Sequence, residues 1–319
     1  MESSKGLIKR GFSIICGKLL GDGCITKQQN RKPRFQFMHT ISDYDWCFHC
    51  YKQLSPHIPV NPPKYKKAVD HRVSKGYTES YVVQSKTADI ITFLHSIWYK
   101  ERKKVVPFDF LNKYLNEEAL AWWYQDDGHL KVDNDIPRKI ILSTENFSND
   151  EIEKLIKILE QKYSLYFSQD GQKRLLLYDQ LQIYYFYRLI QQHIHPSMKR
   201  KMVEMEQKTE NFSSKRTTIY LPTDISLTQP TFEINQKLNL SSKLLQFVEN
   251  QEQYISLYKN YLLRFKNQET TKPCQIIIEE KHWAYINDIQ KLTGLNNSQI
   301  VTLCFWVFNF PIPLMKNSL

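Results

Sequence analysis

At 319 residues, with 41% apolar and 13% aromatic side chains, the chain is long enough for two or three domains and can fill a sizeable core. A net charge of +11 favours a polyanionic partner. No run of roughly 18 apolar residues occurs, which excludes a helical membrane span, and six cysteines without framework spacing point to a reducing compartment rather than a disulfide scaffold.

In chain order, Ile8 to Leu20 reads as an apolar helix stopped by Gly21-Asp22-Gly23. Lys27 to Lys32 form a polar, basic loop. Arg34 to Thr40 alternates as a strand, and Ser42-Asp43 caps a helix from Tyr44 to Leu54. Cys47-Phe48-His49-Cys50 lies in that helix. Zinc would need two more ligands, and none is spaced for it, so the two cysteines read as packing. After Asn61-Pro62-Pro63 a second basic loop carries Lys64, Lys66, Lys67, His71 and Arg72. A strand from Tyr77 to Ser85 and an amphipathic helix from Thr87 to Tyr99 follow, and Lys103 to Pro107 closes the unit.

The same order then recurs. A helix ends at Gly128, and a strand runs from Arg138 to Thr144. A capped helix extends from Ser148 to Tyr163, a strand from Lys173 to Tyr178, and a helix from Asp179 to Gln192 before Pro196 to Lys201. This is an approximate repeat of about a hundred residues. Beyond it the pattern changes, with a linker at 208–215. Thr217–Leu221 and Gln275–Glu279 read as short strands, each followed by two helices with an Asn/Ser-rich turn between them. Such tandem strand-helix-helix units look like ribbon-helix-helix modules, with Tyr220 and Gln275 facing outward. A small α/β packing module or a helix-turn-helix-like accessory domain is the alternative for 216–319.

The two apolar helices that open the repeats both end in an acid: Ile15 to Gly23 contains Asp22, and Leu120 to Gly128 contains Asp127. A carboxylate at the buried, negative pole of a helix is costly unless a cation, a proton or a partner compensates it. Two such ends suggest a shared cation site. The pair resembles the signature helices of the LAGLIDADG homing endonucleases, in the single-chain branch with two motif copies. Trp123-Tyr124-Gln125-Asp126-Asp127-Gly128 is similar to the second motif of intron-encoded members. In the first copy Gly17 and Gly21 share one helix face, where two backbones could approach closely. The second copy departs from this, with Trp122 and Asp126 in those places.

The resemblance covers about residues 8–205. It implies an α+β fold of two pseudo-symmetric αββαββα units (1–108 and 109–207), whose curved antiparallel sheets form a DNA-binding saddle. It also implies Asp22 and Asp127 as metal-binding acids for Mg2+ (or Mn2+), with the backbone carbonyls of Gly21 and Asp126 completing the shell. The Asp126 side chain is expected to be solvated or to lie behind the ligands. Lys104 and Lys201, beyond the last helix of each repeat, fall where family members use a lysine to organise water or stabilise charge on phosphorus. Backbone contacts to DNA are expected from Lys27, Arg31, Lys32, Arg34, Lys64, Lys66, Lys67, Arg72, Arg138, Lys139, Lys173 and Arg174. Arg34 and Gln36 could read base edges. The expected activity is site-specific, metal-dependent hydrolysis of both DNA strands by a monomer at a long asymmetric site, with 216–319 as an accessory DNA-binding domain. The alternative is an intron maturase that binds RNA on the same scaffold. A transcription regulator would leave both acids unexplained. The opening Met1-Glu2-Ser3-Ser4-Lys5 lacks an apolar signal region. The expected location is therefore intracellular: the cytoplasm of a bacterium or phage host, or an organelle matrix.

Overall fold

The computed structural model describes residues 4–203, 213–267 and 270–309. The first repeat contains α1 (Ser4–Leu20), β1 (Cys24–Thr26), β2 (Arg34–Thr40), α2 (Tyr44–Leu54), β3 (Lys64–Val69), β4 (Tyr77–Gln84) and α3 (Asp89–Trp98). A two-residue hairpin, β5 (Tyr99–Lys100) and β6 (Lys103–Lys104), and α4 (Phe108–Tyr114) lead onward. The second repeat contains α5 (Glu117–Asp127), β7 (Gly128–Asp133), β8 (Ile136–Leu142), α6 (Asn149–Tyr163), β9 (Ser168–Gln169), β10 (Leu175–Leu177) and α7 (Gln180–Ile190). Each repeat folds its strands into an antiparallel sheet, β1-β2-β4-β3 in the first and β7-β8-β10-β9 in the second. The α+β class and the twofold αββαββα order both hold.

Local chemistry explains most of these elements. In β2 the alternation sends Phe35, Phe37 and His39 to the buried face and leaves Arg34, Met38 and Thr40 exposed on the other. α6 starts with a full capping box. Ser148 accepts from the Glu151 N–H, and the Glu151 carboxylate accepts from the Ser148 N–H. At α2 the expected side-chain cap is absent: Ile41–Asp43 form a 3-10 turn, and Asp43 makes no capping bond. The segment expected to be the second basic loop is strand β3, paired with β4 from Lys64↔Val82 to Val69↔Tyr77. It is an edge strand with no buried residue, so its sequence lacks the apolar alternation that marks a strand.

The chain divides into two compact units, whose described residues are 4–178 with 189–203, and 179–188 with 213–267 and 270–309. In the first unit α1 and α5 pack against each other at the centre of the core. A Cβ on Gly17 would strike the Ala119 carbonyl oxygen and lie 2.7 Å from Trp122 Cβ, so the glycine permits the close approach. Trp122 and Trp123 are fully buried, which is how the bulky second motif still packs tightly.

In the second unit β11 (Lys215–Pro222) and β12 (Thr271–Ile278) form an antiparallel ribbon, in register from Arg216↔Ile277 to Pro222↔Thr271. α8 (Pro230–Leu238) and α9 (Ser241–Glu249) follow the first strand, and α11 (Glu280–Thr293) and α12 (Asn297–Asn309) follow the second. An additional helix not expected from the sequence, α10 (Gln251–Asn260), precedes β12. Tyr185 of α7 stacks on Tyr258 at 3.5 Å, and Arg188 donates to the Val248 and Glu249 carbonyls. Tyr220 and Gln275 lie on the exposed face of the ribbon. Of the linker expected at 208–215, residues 208–212 lie outside the described residues, and Lys215 already begins β11.

Candidate active site

Asp22 follows the end of α1, and Asp127 is the last residue of α5. The packing of α1 on α5 brings the two helix ends together. A Cβ on Gly21 would lie 2.6 Å from Asp126 Cβ, so there too only glycine fits. The Asp22 side chain is 35% exposed. Burial and the Asp126 charge push its carboxyl up to about 6, although Lys18, Lys201 and Lys104 pull it down. Asp127 rises to about 7, through burial and the charges of Asp22 and Asp126. Carboxylates destabilised in this way by burial and by one another are a donor set that a divalent cation relieves. The residues present therefore fit a metal.

Both sequence-predicted lysines reach this centre. Lys104, on the β5–β6 hairpin, donates to the Gly23 carbonyl at 2.8 Å. Burial pushes its ammonium down to about 8, against the pull of Cys24 and the three aspartates. Lys201, at the end of a 3-10 turn from Pro196, donates to the carbonyls of Gln125 (2.6 Å) and Asp126 (3.0 Å). It thereby neutralises the negative end of α5. Burial lowers its pKa as well.

Of the two positions expected for the Asp126 side chain, it takes the one behind the helix-end acids and not the solvated one. It is fully buried and forms an ion pair with Lys18 Nζ at 2.8 Å, both groups being 0% exposed. Trp46 Nε1 donates to Asp126 Oδ1 at 2.9 Å, and the Asp22 backbone N–H donates to Oδ2 at 3.1 Å. Lys18 Nζ also lies 2.7 Å from His39 Nε2, 3.6 Å from Cys50 Sγ and 4.3 Å from the Phe37 ring centre. Asp22, His39 and Asp126 bring ligand atoms within 4.8 Å of one another, as a metal site would. The cation between His39 and Asp126, however, is the lysine ammonium, which already engages both. Neither Asp22 nor Asp127 forms an ion pair with a lysine or arginine among the described residues. Sequence reasoning missed Lys18, His39 and Trp46. A lysine in an otherwise apolar run, four residues before Asp22, was the available signal for the first. Cys47 and Cys50 are buried free thiols, as the packing reading of that motif requires.

The basic residues divide by position. Arg34, Gln36 and Gln84 share the sheet face opposite the core. Arg34 donates to Gln84 at 3.3 Å, and Gln84 donates to Gln36 at 3.1 Å. Lys64 and Lys66 flank them, and with Gln36 and Gln84 they line an open depression of about 600 Å³. Lys67 points to the other face of β3, over the Tyr77 ring at 3.7 Å. Lys27, Arg31 and Lys32 are exposed in the β1–β2 loop, with Lys32 3.7 Å from Asp89. Arg72 is held by Asp70 at 2.8 Å in the β3–β4 loop. In the second sheet the β7–β8 pairing passes from Lys131↔Lys139 to Val132↔Pro137, which leaves Arg138 in a bulge 3.5 Å from Asp133. Lys139 lies 5.4 Å from the Tyr178 ring centre. Lys173 is exposed at positive φ, and Arg174 is tied to Asp170 at 2.7 Å. Lys131, opposite Lys139, joins this set although the sequence reading omitted it.

Two packed helix-end acids with flanking lysines, beside two four-stranded antiparallel sheets, form the centre of the first unit. Residues 12–182, more than half of the chain, match the LAGLIDADG DNA endonuclease family, and the chain belongs to that family. An uncharacterized protein of Methanocaldococcus jannaschii is 30% identical over 201 residues, spanning 60% of this chain and 72% of that one. The cytochrome b mRNA maturase bI2 of Debaryomyces hansenii is 27% identical over 213 residues, covering 62% and 76%. Among solved structures, the homing endonuclease I-WcaI bound to its DNA recognition sequence superposes with a TM-score of 0.54 at 25% identity. That match covers 61% of this chain and 87% of the other.

Proposed function

We propose that the chain is a monomeric, site-specific homing endonuclease that hydrolyses both strands of a long, asymmetric duplex site with a divalent metal. The observation that carries this reading is the pair of helix-end acids, both pushed up towards neutrality, with a lysine ammonium delivered to each helix end. Asp22 and Asp127, with the carbonyls of Gly21 and Asp126, would hold Mg2+ or Mn2+. Such an ion activates water and neutralises charge on the leaving oxygen. Lys104 and Lys201 place positive charge where charge builds on phosphorus, already oriented by the carbonyls they touch. Arg34, Gln36, Lys64, Lys66 and Lys139 lie on sheet faces and track the backbone or base edges. Residues 216–319 act as an accessory DNA-binding domain, with the exposed face of the ribbon towards the groove. The reading implies an intracellular protein with access to DNA.

The likeness to a maturase favours one second reading, in which the same scaffold binds intron RNA. Both acids and both lysines stand at one centre, and a pure splicing cofactor has no use for them. Selection of cut molecules from a randomised duplex library with Mg2+ tests the proposal. A discrete recovered site with cuts in both strands is expected. Tight binding to intron RNA without any cutting would replace the proposal with the maturase reading.

A further inference from the structure

Around the two acids the site is not symmetric. Four residues before Asp22 stands Lys18, whereas four residues before Asp127 stands Trp123. One residue before Asp22 stands Gly21, whereas one before Asp127 stands Asp126, which reaches across to the first acid. No hydrogen bond holds the Asp127 carboxylate among the described residues.

An ammonium offers only donors, so the His39 Nε2 that lies 2.7 Å from Lys18 Nζ must be the accepting nitrogen. Nδ1 then carries the ring proton, and it lies 3.4 Å from Asp22 Oδ2. Lys18 thus reaches the first acid by two routes. One runs through His39 to the Asp22 carboxylate. The other runs through the Asp126 carboxylate, held at 2.8 Å, to the Asp22 backbone N–H at 3.1 Å. Trp46 fixes the same Asp126 oxygen at 2.9 Å. Every group in this brace except Asp22 is buried, so neither route is loosened by water.

We propose that Lys18, His39 and Asp126 are positioning residues that brace Asp22 alone, and that this makes the two strand-cutting centres unequal. The proposal rests on the nuclease reading for its consequence, but not for its geometry. In the nuclease, each of two pseudo-symmetric centres cuts one strand. The centre that depends on the orientation of Asp22 loses rate when the brace is removed, and the other is spared.

Two measurements test it. Ring 15N correlation spectra of the full, metal-free chain report which nitrogen of His39 is protonated. Nδ1 is expected, moving towards Nε2 in the double variant Lys18→Met/Asp126→Leu, which exchanges the buried ion pair for apolar groups. A His39 ring protonated at Nε2 in the native chain would overturn the brace. The second measurement follows each strand of the selected site separately. His39→Val, which leaves the ion pair in place, should slow one strand by roughly tenfold to a hundredfold more than the other, so that nicked duplex accumulates. His39→Asn, whose amide nitrogen falls near the position of Nδ1, should restore most of the lost rate. Equal slowing of both strands, no slowing, or no rescue by asparagine would sink the proposal. If the native chain cuts no DNA, the nuclease reading fails, and the tautomer measurement still decides the brace.

Discussion

Asp22 and Asp127 occupy positions where the helix end, burial and neighbouring charge all oppose ionisation, and their pKa values rise to about 6 and about 7. Two outcomes follow from the sign of these shifts. Metal binding needs the ionised carboxylates, so single-turnover cleavage should climb as pH rises from about 5 to about 8 and level off above the higher pKa. A rate that falls over that range would contradict the shifts. For stability, both carboxyls bind protons more readily in the folded chain than in the unfolded one. Their contribution to stability is therefore present at low pH and is lost between about pH 4, the ordinary carboxylate value, and about pH 7. Asp127→Asn should accordingly raise the melting temperature of the metal-free protein at pH 8 by a few degrees. It should also reduce the further rise that Mg2+ gives the native chain. The acids were legible in the sequence because each ends a motif helix, and the lysines because each follows the last helix of its repeat, where the family resemblance places one. The Lys18–His39–Asp126 cluster was not, because its members are scattered along the chain and meet only once α1, β2 and α5 have packed.

At the scale of elements, the helix pair α1–α5 is the part on which the site depends most. Gly17→Ala places a methyl group against the Ala119 carbonyl and Trp122 Cβ, backbone on one side and a fully buried indole on the other. Neither yields easily, so a cost of about 1–3 kcal/mol is expected in urea unfolding, together with loss of cleavage. Unchanged stability would mean that the helices are not in close contact there. The elements legible in advance were those with internal signals, such as α6 with its capping box and β2 with its strict alternation. The illegible ones lacked them. β3 buries no residue on either face and is defined by its partner β4. α10 follows α9 after a single residue, Asn250, whose side chain caps it by accepting from the Gln253 N–H, and the sequence reading stopped at α9.

For the whole molecule, the net charge of +11 is uneven. In residues 204–319 basic side chains outnumber acidic ones by only one, so nearly all of the excess lies in the first 203 residues, with the two sheets and the acids. If those sheets track phosphates through 6–10 contacts, affinity for duplex DNA should fall by about 10³–10⁵ between 50 and 200 mM salt. A flat response would contradict phosphate tracking. Arg72 and Arg174 are already held by Asp70 and Asp170, so their removal should change the salt slope less than removal of Lys64 or Lys66.

The central claim is that two helix-end acids, one from each repeat, make the adjoining centres that cut the two strands. The direct measurement compares native, Asp22→Asn and Asp127→Asn chains on the selected duplex, with binding read without metal and cleavage read with Mg2+. Each variant should bind at least as tightly as the native chain, since a negative charge beside the phosphates is removed, while the double-strand cut is lost. A variant that cuts at close to the native rate would show that its acid is not part of the centre.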